Sequence, residues 1–253
     1  MAFETILFEE NDHIGLLTLN RPKTVNALNQ KMIEELDELF DDLALNDDVR
    51  VVILTGNGGK GFCSGMDMKE SMDKLFSATP DQIYKFQSYA SRLYSKMRSI
   101  PQPIIAAIHG AASGAGFSFA MASDVRLITP QARFNAAYIN IGLGGADLAS
   151  SYFLPRLIGS GRANEYLLTG DFMNAENAME LGFASHVVEK EILLEKAFEI
   201  ARKMADKNPL GLRMTKEAIN QNLGVSSLEQ ALHIENRNQS FLITALKLNT
   251  SQS

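Results

Sequence analysis

Two stretches of this sequence constrain its fold more than any others. "ILTGNGGKGFCSGMD" (53–67) and "AAIHGAASGAGFSFA" (106–120) each run from a short apolar, β-branched or alanine-rich segment into a glycine-rich turn. Such segments, closed by glycine, read as strands buried on both faces. The second turn leads into "FSFAMASD", a run of small and apolar residues that reads as a buried helix. A strand–turn–helix unit that recurs in this way calls for parallel strands joined by crossover helices.

The remainder of the chain extends the pattern. "TILFEE" and "HIGLLTLN" read as two strands of a hairpin joined across "NDH", followed by the loop "RPKTVNALN". From Gln30 to Leu45, Met32 is followed by Ile33, Leu36, Leu39, Phe40 and Leu43, at offsets 1, 4, 7, 8 and 11. That is one face of a helix, with Asn29 as its N-cap. "VRVVILTG" reads as a strand ending at Gly56, and 81–98 as a helix carrying Phe86, Tyr89, Leu93, Tyr94 and Met97. "PIIAAIHG" and "VRLIT" are further strands, and "ARFNAAYINIG" contains another. Alternation continues to about residue 190, which gives a core over 1–190 and a helical region over 191–253. Breaks in that region are expected at "KNPLG" and near "NLGVSS", and the polar tail "KLNTSQS" is expected to fray.

Glycine-rich turns allow backbone amides to approach a ligand closely. The first N–H groups of a following helix are free to donate. Two such turns side by side offer two converging donors, an arrangement suited to a carbonyl oxygen that gains negative charge. Nucleotide chemistry fits less well. "GAASGAGFSF" places Phe119 where a dinucleotide fingerprint needs its third glycine, and "GNGGKGFC" lacks the Lys-Ser or Lys-Thr of a phosphate loop.

Other chemistry is thinly represented. His13, His109, His186 and His233 are dispersed, without metal-ligand spacing, and no metal is expected. A nucleophile elbow is absent around Ser118. The single cysteine, Cys63, excludes an intrachain disulfide and reads as a small buried hydrophobe. A net charge of -6 opposes binding to nucleic acid or an anionic membrane. The acidic N-terminal stretch does not read as a signal peptide, and no apolar run approaches the ~20 residues of a membrane span. The expected location is the cytoplasm.

"NIGLGGADLASSY" (140–152) delivers one acid, Asp147, from a glycine-rich loop. Asp147 reads either as the N-cap of a helix beginning at Leu148 or as a proton-transfer group.

The chain resembles the crotonase, or enoyl-CoA hydratase/isomerase, superfamily. The resemblance rests on "LNRPKTVNALN" (19–29), "GFCSGMDMKE" (61–70), "PIIAAIHGAASGAGFSFAMASD" (103–124), "LPRLIG" (154–159), "LTG" (168–170) and "ELGFASHVV" (180–188), in the family's order. It implies an α/β fold, a spiral of β-β-α repeats with a helical C-terminal trimerisation region, and a homotrimer or hexamer. The implied substrate is an acyl-CoA thioester, with coenzyme A as part of the substrate and no separate cofactor. The family's oxyanion hole maps onto the amides of Met66 and Ala115. Its CoA cradle maps onto Lys23, Val25, Ala27, Ser64 and Asp67, and its acyl pocket onto Phe117, Ser118 and Tyr138.

The departures narrow the chemistry. Family hydratases carry two glutamates, at the positions of Ser118 and Tyr138 here. Neither replacement is an acid–base group near neutrality. Asp147 falls where the family's dienoyl-CoA isomerases and chlorobenzoyl-CoA dehalogenases place an active-site aspartate. The dehalogenases' base histidine falls at Ser91. The expected activity is double-bond isomerisation of an enoyl-CoA with Asp147 as base. Hydration, aryl-CoA dehalogenation or hydrolysis, and weakly catalytic acyl-CoA binding are the alternatives.

Overall fold

The structure is a computed structural model in which residues 3–250 are described, 72–75 and 249–250 by backbone alone. Two antiparallel strands, β1 (Ile6–Asn11) and β2 (Ile14–Leu19), form the expected hairpin. Asp12 and His13 both adopt left-handed φ (49° and 65°), the conformation of a tight two-residue turn. Helix α1 (Gln30–Leu45) follows, and the Asn29 side chain accepts from the Met32 amide at 3.0 Å. All six apolar positions of its predicted face are buried. Each contributes ~1.5–3 kcal/mol of transfer free energy before the entropy of ordering is counted.

After α1 the chain repeats one move. A strand of the large sheet passes into a short strand of a second sheet and then into helices. Strand β3 (Val51–Gly56) leads to β4 (Gly61–Cys63), then to α2 (Met68–Ser77) and α3 (Pro80–Ser99). Strand β5 (Ile104–Ile108) leads to β6 (Ala111–Ser113) and α4 (Ala115–Ala122). Strand β7 (Val125–Ile128) leads to β8 (Arg133–Asn135), α5 (Ser150–Ile158) and α6 (Ser160–Thr169). Strand β9 (Met173–Asn174), α7 (Ala175–Glu180) and β10 (His186–Val187) complete the two sheets. Their orders are β1-β2-β3-β5-β7-β10 and β4-β6-β8-β9. From β2 to β10 the large sheet is parallel, as is β4-β6-β8.

Both faces of the large sheet are covered. One packs on α1, α3 and α4. The other receives α8 (Leu193–Ala205), whose Leu193, Ala197, Ala201 and Ala205 recur every fourth residue against Ile14, Val51, Ile53, Ile105 and Leu127. Helices α9 (Pro209–Asn222) and α10 (Leu228–Thr250) follow, with breaks where they were expected. The expected fraying of the tail falls, from residue 249 on, outside the described side chains.

Strands β4 and β6 lie inside segments read from sequence as loops, and α2 was not anticipated. One expectation for Asp147 is overturned. No helix begins at Leu148, because Leu148 and Ala149 both take left-handed φ (45° and 67°) and α5 starts at Ser150. Asp147 therefore does not cap a helix.

Candidate active site

The two glycine-rich turns meet at the ends of β4 and β6. Gly65 has φ 102°, and its carbonyl accepts from the Leu28 amide at 2.7 Å. The Asp67 amide donates back to Leu28 at 2.9 Å, so Met66 is bracketed by two hydrogen bonds while its own amide stays unused. A methyl group on Gly65 would stand 3.0 Å from the Ser113 carbonyl oxygen and 3.7 Å from the Ala115 nitrogen. Ala115 is the first residue of α4, where an amide has no partner within the helix. Among the described residues neither the Met66 nor the Ala115 amide donates a hydrogen bond. Two uncommitted donors thus lie side by side, one at the positive end of a helix.

One turn further along α4, Ser118 is fully buried, and its hydroxyl lies 2.9 Å from the phenol oxygen of Tyr138. Tyr94 of α3 donates to the Ala115 carbonyl at 3.2 Å. Burial raises the Tyr138 and Tyr94 phenols and pushes the Cys63 thiol up to about 12, so all three stay neutral. The negative charge of Asp147 raises both phenols further. Phe117 is placed differently from the expected pocket role. Its ring packs with Phe134 and Phe183, at centroid distances of 5.8 and 5.5 Å, in the core.

Asp147 is half-buried. Burial raises its carboxyl, and hydrogen bonds from the Leu148 amide and Gln87 partly offset that rise. The loop holding it is braced by Ser150. The Ser150 hydroxyl donates to the Gly145 carbonyl and accepts from the Asp147 amide, both at 3.1 Å.

The expected CoA residues gather where the loop after β2 meets the end of β4. Ser64 binds that loop twice, through its amide to the Val25 carbonyl at 2.9 Å and its hydroxyl to the Thr24 carbonyl at 3.0 Å. Lys23 is exposed and makes no ion pair among the described residues. Val25 is half-buried and Ala27 is buried. The Asp67 side chain is occupied by the Arg21 guanidinium at 2.8 Å, which makes it a brace for the loop rather than a free contact. Sequence reasoning missed that guanidinium, which also donates to the Ala27 carbonyl at 2.6 Å. It likewise missed Asn26, fully buried with left-handed φ, whose amide donates to the Asn57 and Phe62 carbonyls. Gln87, which bonds Asp147, had no sequence signal at all.

The other candidates lie elsewhere. Ser91 is half-buried and donates to the Ser88 carbonyl, so α3 offers no base at that position. His13 serves the hairpin by bonding the Asp48 carbonyl, and His186 and His233 are exposed. Among the described residues no cluster of His, Cys, Asp or Glu could hold a metal ion, and no helix is long and apolar enough to cross a membrane.

Known proteins resemble this chain in sequence and fold. A sequence model described as enoyl-CoA hydratase/isomerase matches residues 9–252. YngF of Bacillus subtilis, an enoyl-CoA hydratase/isomerase by name, is 38% identical over 92% of this chain and 88% of its own. The 1,2-epoxyphenylacetyl-CoA isomerase of Escherichia coli is 32% identical over 92% of this chain and 87% of its own. The crystal structure of an enoyl-CoA hydratase from Bacillus anthracis superposes with a TM-score of 0.89 at 32% identity, covering 98% of this chain and 97% of that one. With the crotonase-like spiral, the paired glycine turns and this match over nearly its whole length, the chain belongs to the enoyl-CoA hydratase/isomerase family.

Proposed function

We propose that this member of the family isomerises the double bond of an enoyl-CoA thioester, with Asp147 as its single base. The observation that carries the reading is the contrast within one pocket. The two positions where family hydratases hold glutamates are a serine and a tyrosine bonded to each other, while the carboxylate of Asp147 is half-buried, and burial raises it above the ordinary aspartate value. Hydration needs groups to activate water and to protonate carbon. A 1,3-proton shift needs one base that returns the proton it removed.

In this reading the thioester carbonyl accepts from the Met66 and Ala115 amides. The Asp147 carboxylate takes a proton from C2 of a 3-enoyl thioester. The C–H electron pair moves into the conjugated system, leaving negative charge on the thioester oxygen between the two amides. The carboxyl then returns its proton to C4, and the product is the 2-enoyl thioester. Loss of one oxyanion donor costs ~10²–10³ in rate in comparable sites. The loop 22–27 and the segment 64–67 grip CoA, with the exposed ammonium of Lys23 towards its phosphates. No separate cofactor is needed, because the chemistry moves only a proton.

A trimer, or a pair of trimers, fits the C-terminal helices. Leu228, Leu232, Phe241, Ile243 and Leu246 of α10 are exposed in the single chain. An apolar groove of about 350 Å³ also opens between α5 and α9.

The test is a comparison of substrates with the purified protein: 3-enoyl-CoA, dienoyl-CoA, 2-enoyl-CoA with water, and aryl-CoA esters. Isomerisation of the 3-enoyl ester should exceed hydration of the 2-enoyl ester. Faster hydration would overturn the reading, and tight binding of every ester without turnover would favour a binding protein.

A further inference from the structure

Asp147 is held by only one of its two carboxylate oxygens. Oδ1 accepts from the Leu148 amide at 2.8 Å and also from Gln87 Nε2, while Oδ2 has no hydrogen-bond partner among the described residues. The terminal torsion of an aspartate is soft and roughly two-fold, so a single donor would let the two oxygens exchange. Two donors on one oxygen oppose that exchange. The backbone contributes through the left-handed Leu148 and Ala149, a local strain that points to a positional requirement.

Gln87 lies in the first half of α3. Around it residues 81–85 are exposed, Lys85 pairs with Asp81, and Gln82 closes the N-terminal cap with Thr79. Apart from that cap, Gln87 is the one among the described side chains of 80–88 that bonds outside the helix.

We propose that Gln87 is a positioning residue for the base: it fixes Oδ1 of Asp147, which leaves Oδ2 as the oxygen that takes and returns the substrate proton. Alignment of the base then depends on the seating of the first half of α3 beside the pocket. The proposal rests on the reading of Asp147 as base, and it adds which oxygen reacts and what orients it. The other titratable groups of the pocket are Tyr94 on α3, Cys63 on β4 and Tyr138. All three are raised and neutral, which leaves Asp147 as the group that titrates on the acid side.

The experiment compares wild type, Gln87→Met, Gln87→Lys and Asp147→Asn. It combines carbon-13 NMR titration of the Asp147 carboxyl with steady-state kinetics on a 3-enoyl-CoA thioester. Methionine keeps the length of glutamine and loses the donor, whereas lysine restores a donor with added positive charge. Gln87→Met should raise the Asp147 midpoint and the acid limb of kcat/KM. It should lower kcat about tenfold and leave KM within about threefold. Gln87→Lys should shift the midpoint below wild type and recover part of kcat. A purely structural role would not order the midpoints by donor strength. If Gln87→Met misfolds, Gln87→Asn, too short to reach, carries the same expectations.

Wild-type midpoint and kcat in Gln87→Met, with Asp147→Asn inactive, would overturn this proposal and leave the base reading standing. Undiminished turnover by Asp147→Asn would overturn both. Should the wild type not turn over the ester, the NMR midpoints decide, and an unmoved midpoint in Gln87→Met refutes the clamp.

Discussion

Replacing Gly65 by alanine perturbs the oxyanion site through backbone geometry alone. At φ 102° an alanine is strained, and its methyl would stand 3.0 Å from the Ser113 carbonyl oxygen. The left-handed region costs an L-residue ~1–2 kcal/mol. The close contact adds to that, giving a loss of about 2 kcal/mol. In a chain of this size that corresponds to a Tm about 4–8 °C lower. The effect on catalysis should be larger. The turn must yield, the Met66 amide moves with it, and loss of one of two donors costs ~10²–10³ in kcat. Gly110→Ala is the matched control. It also has left-handed φ (62°), and its methyl would meet Gly61 Cα at 3.0 Å and the Lys60 carbonyl oxygen at 3.1 Å. It sits at the opposite end of β6 from the Ala115 amide. Thermal unfolding and 3-enoyl-CoA isomerisation are measured on both variants. Comparable losses of Tm are expected, with kcat lost mainly in Gly65→Ala. Equal kcat in the two variants, lost or retained, would refute the reasoning.

Two further expectations concern the scaffold. Asn26→Ala removes buried bonds to the Asn57 carbonyl (2.9 Å) and the Phe62 carbonyl (3.0 Å) and leaves the Arg21 amide without its acceptor. The loss should be ~2–3 kcal/mol in denaturant unfolding, with KM for CoA esters raised more than kcat is lowered. Lys216 is buried, and its ammonium donates to the Met97 and Gln102 carbonyls and pairs with Asp124. Burial, partly offset by Asp124, holds its pKa down to about 8 against 10.5 in the unfolded chain. Between these values the unfolded state binds more protons, so this group makes stability rise with pH from about 8 to about 10.5. The rise should be ~2 kcal/mol between pH 8 and 10 in unfolding experiments and absent in Lys216→Met.

What could be read from the sequence follows from where the signal is periodic or chemical. Helix α1 was legible to the residue because six apolar side chains share one face and Asn29 caps it. The paired turns were legible because glycine marks places where backbones meet. Strands β4 and β6 were not, since three residues each, Gly-Phe-Cys and Ala-Ala-Ser, are too short to show a period. Asp147 looked like a cap because aspartate favours caps. The left-handed Leu148 and Ala149 exclude a helix there, and no local sequence pattern reports them. Gln87 stands 60 residues from Asp147, and Arg21 and Asn26 look like ordinary loop residues until the chain folds around them.

The central claim is tested most directly by the rate at which Asp147→Asn isomerises a 3-enoyl-CoA thioester, measured beside Tyr138→Phe. Asparagine can still accept from the Leu148 amide but has no basic oxygen. Its kcat/KM should fall by ~10²–10⁴, the share of a positioned general base. Tyr138→Phe, which removes only the bond to Ser118, should stay within about threefold of wild type. Wild-type turnover by Asp147→Asn, or a loss confined to Tyr138→Phe, would contradict the account.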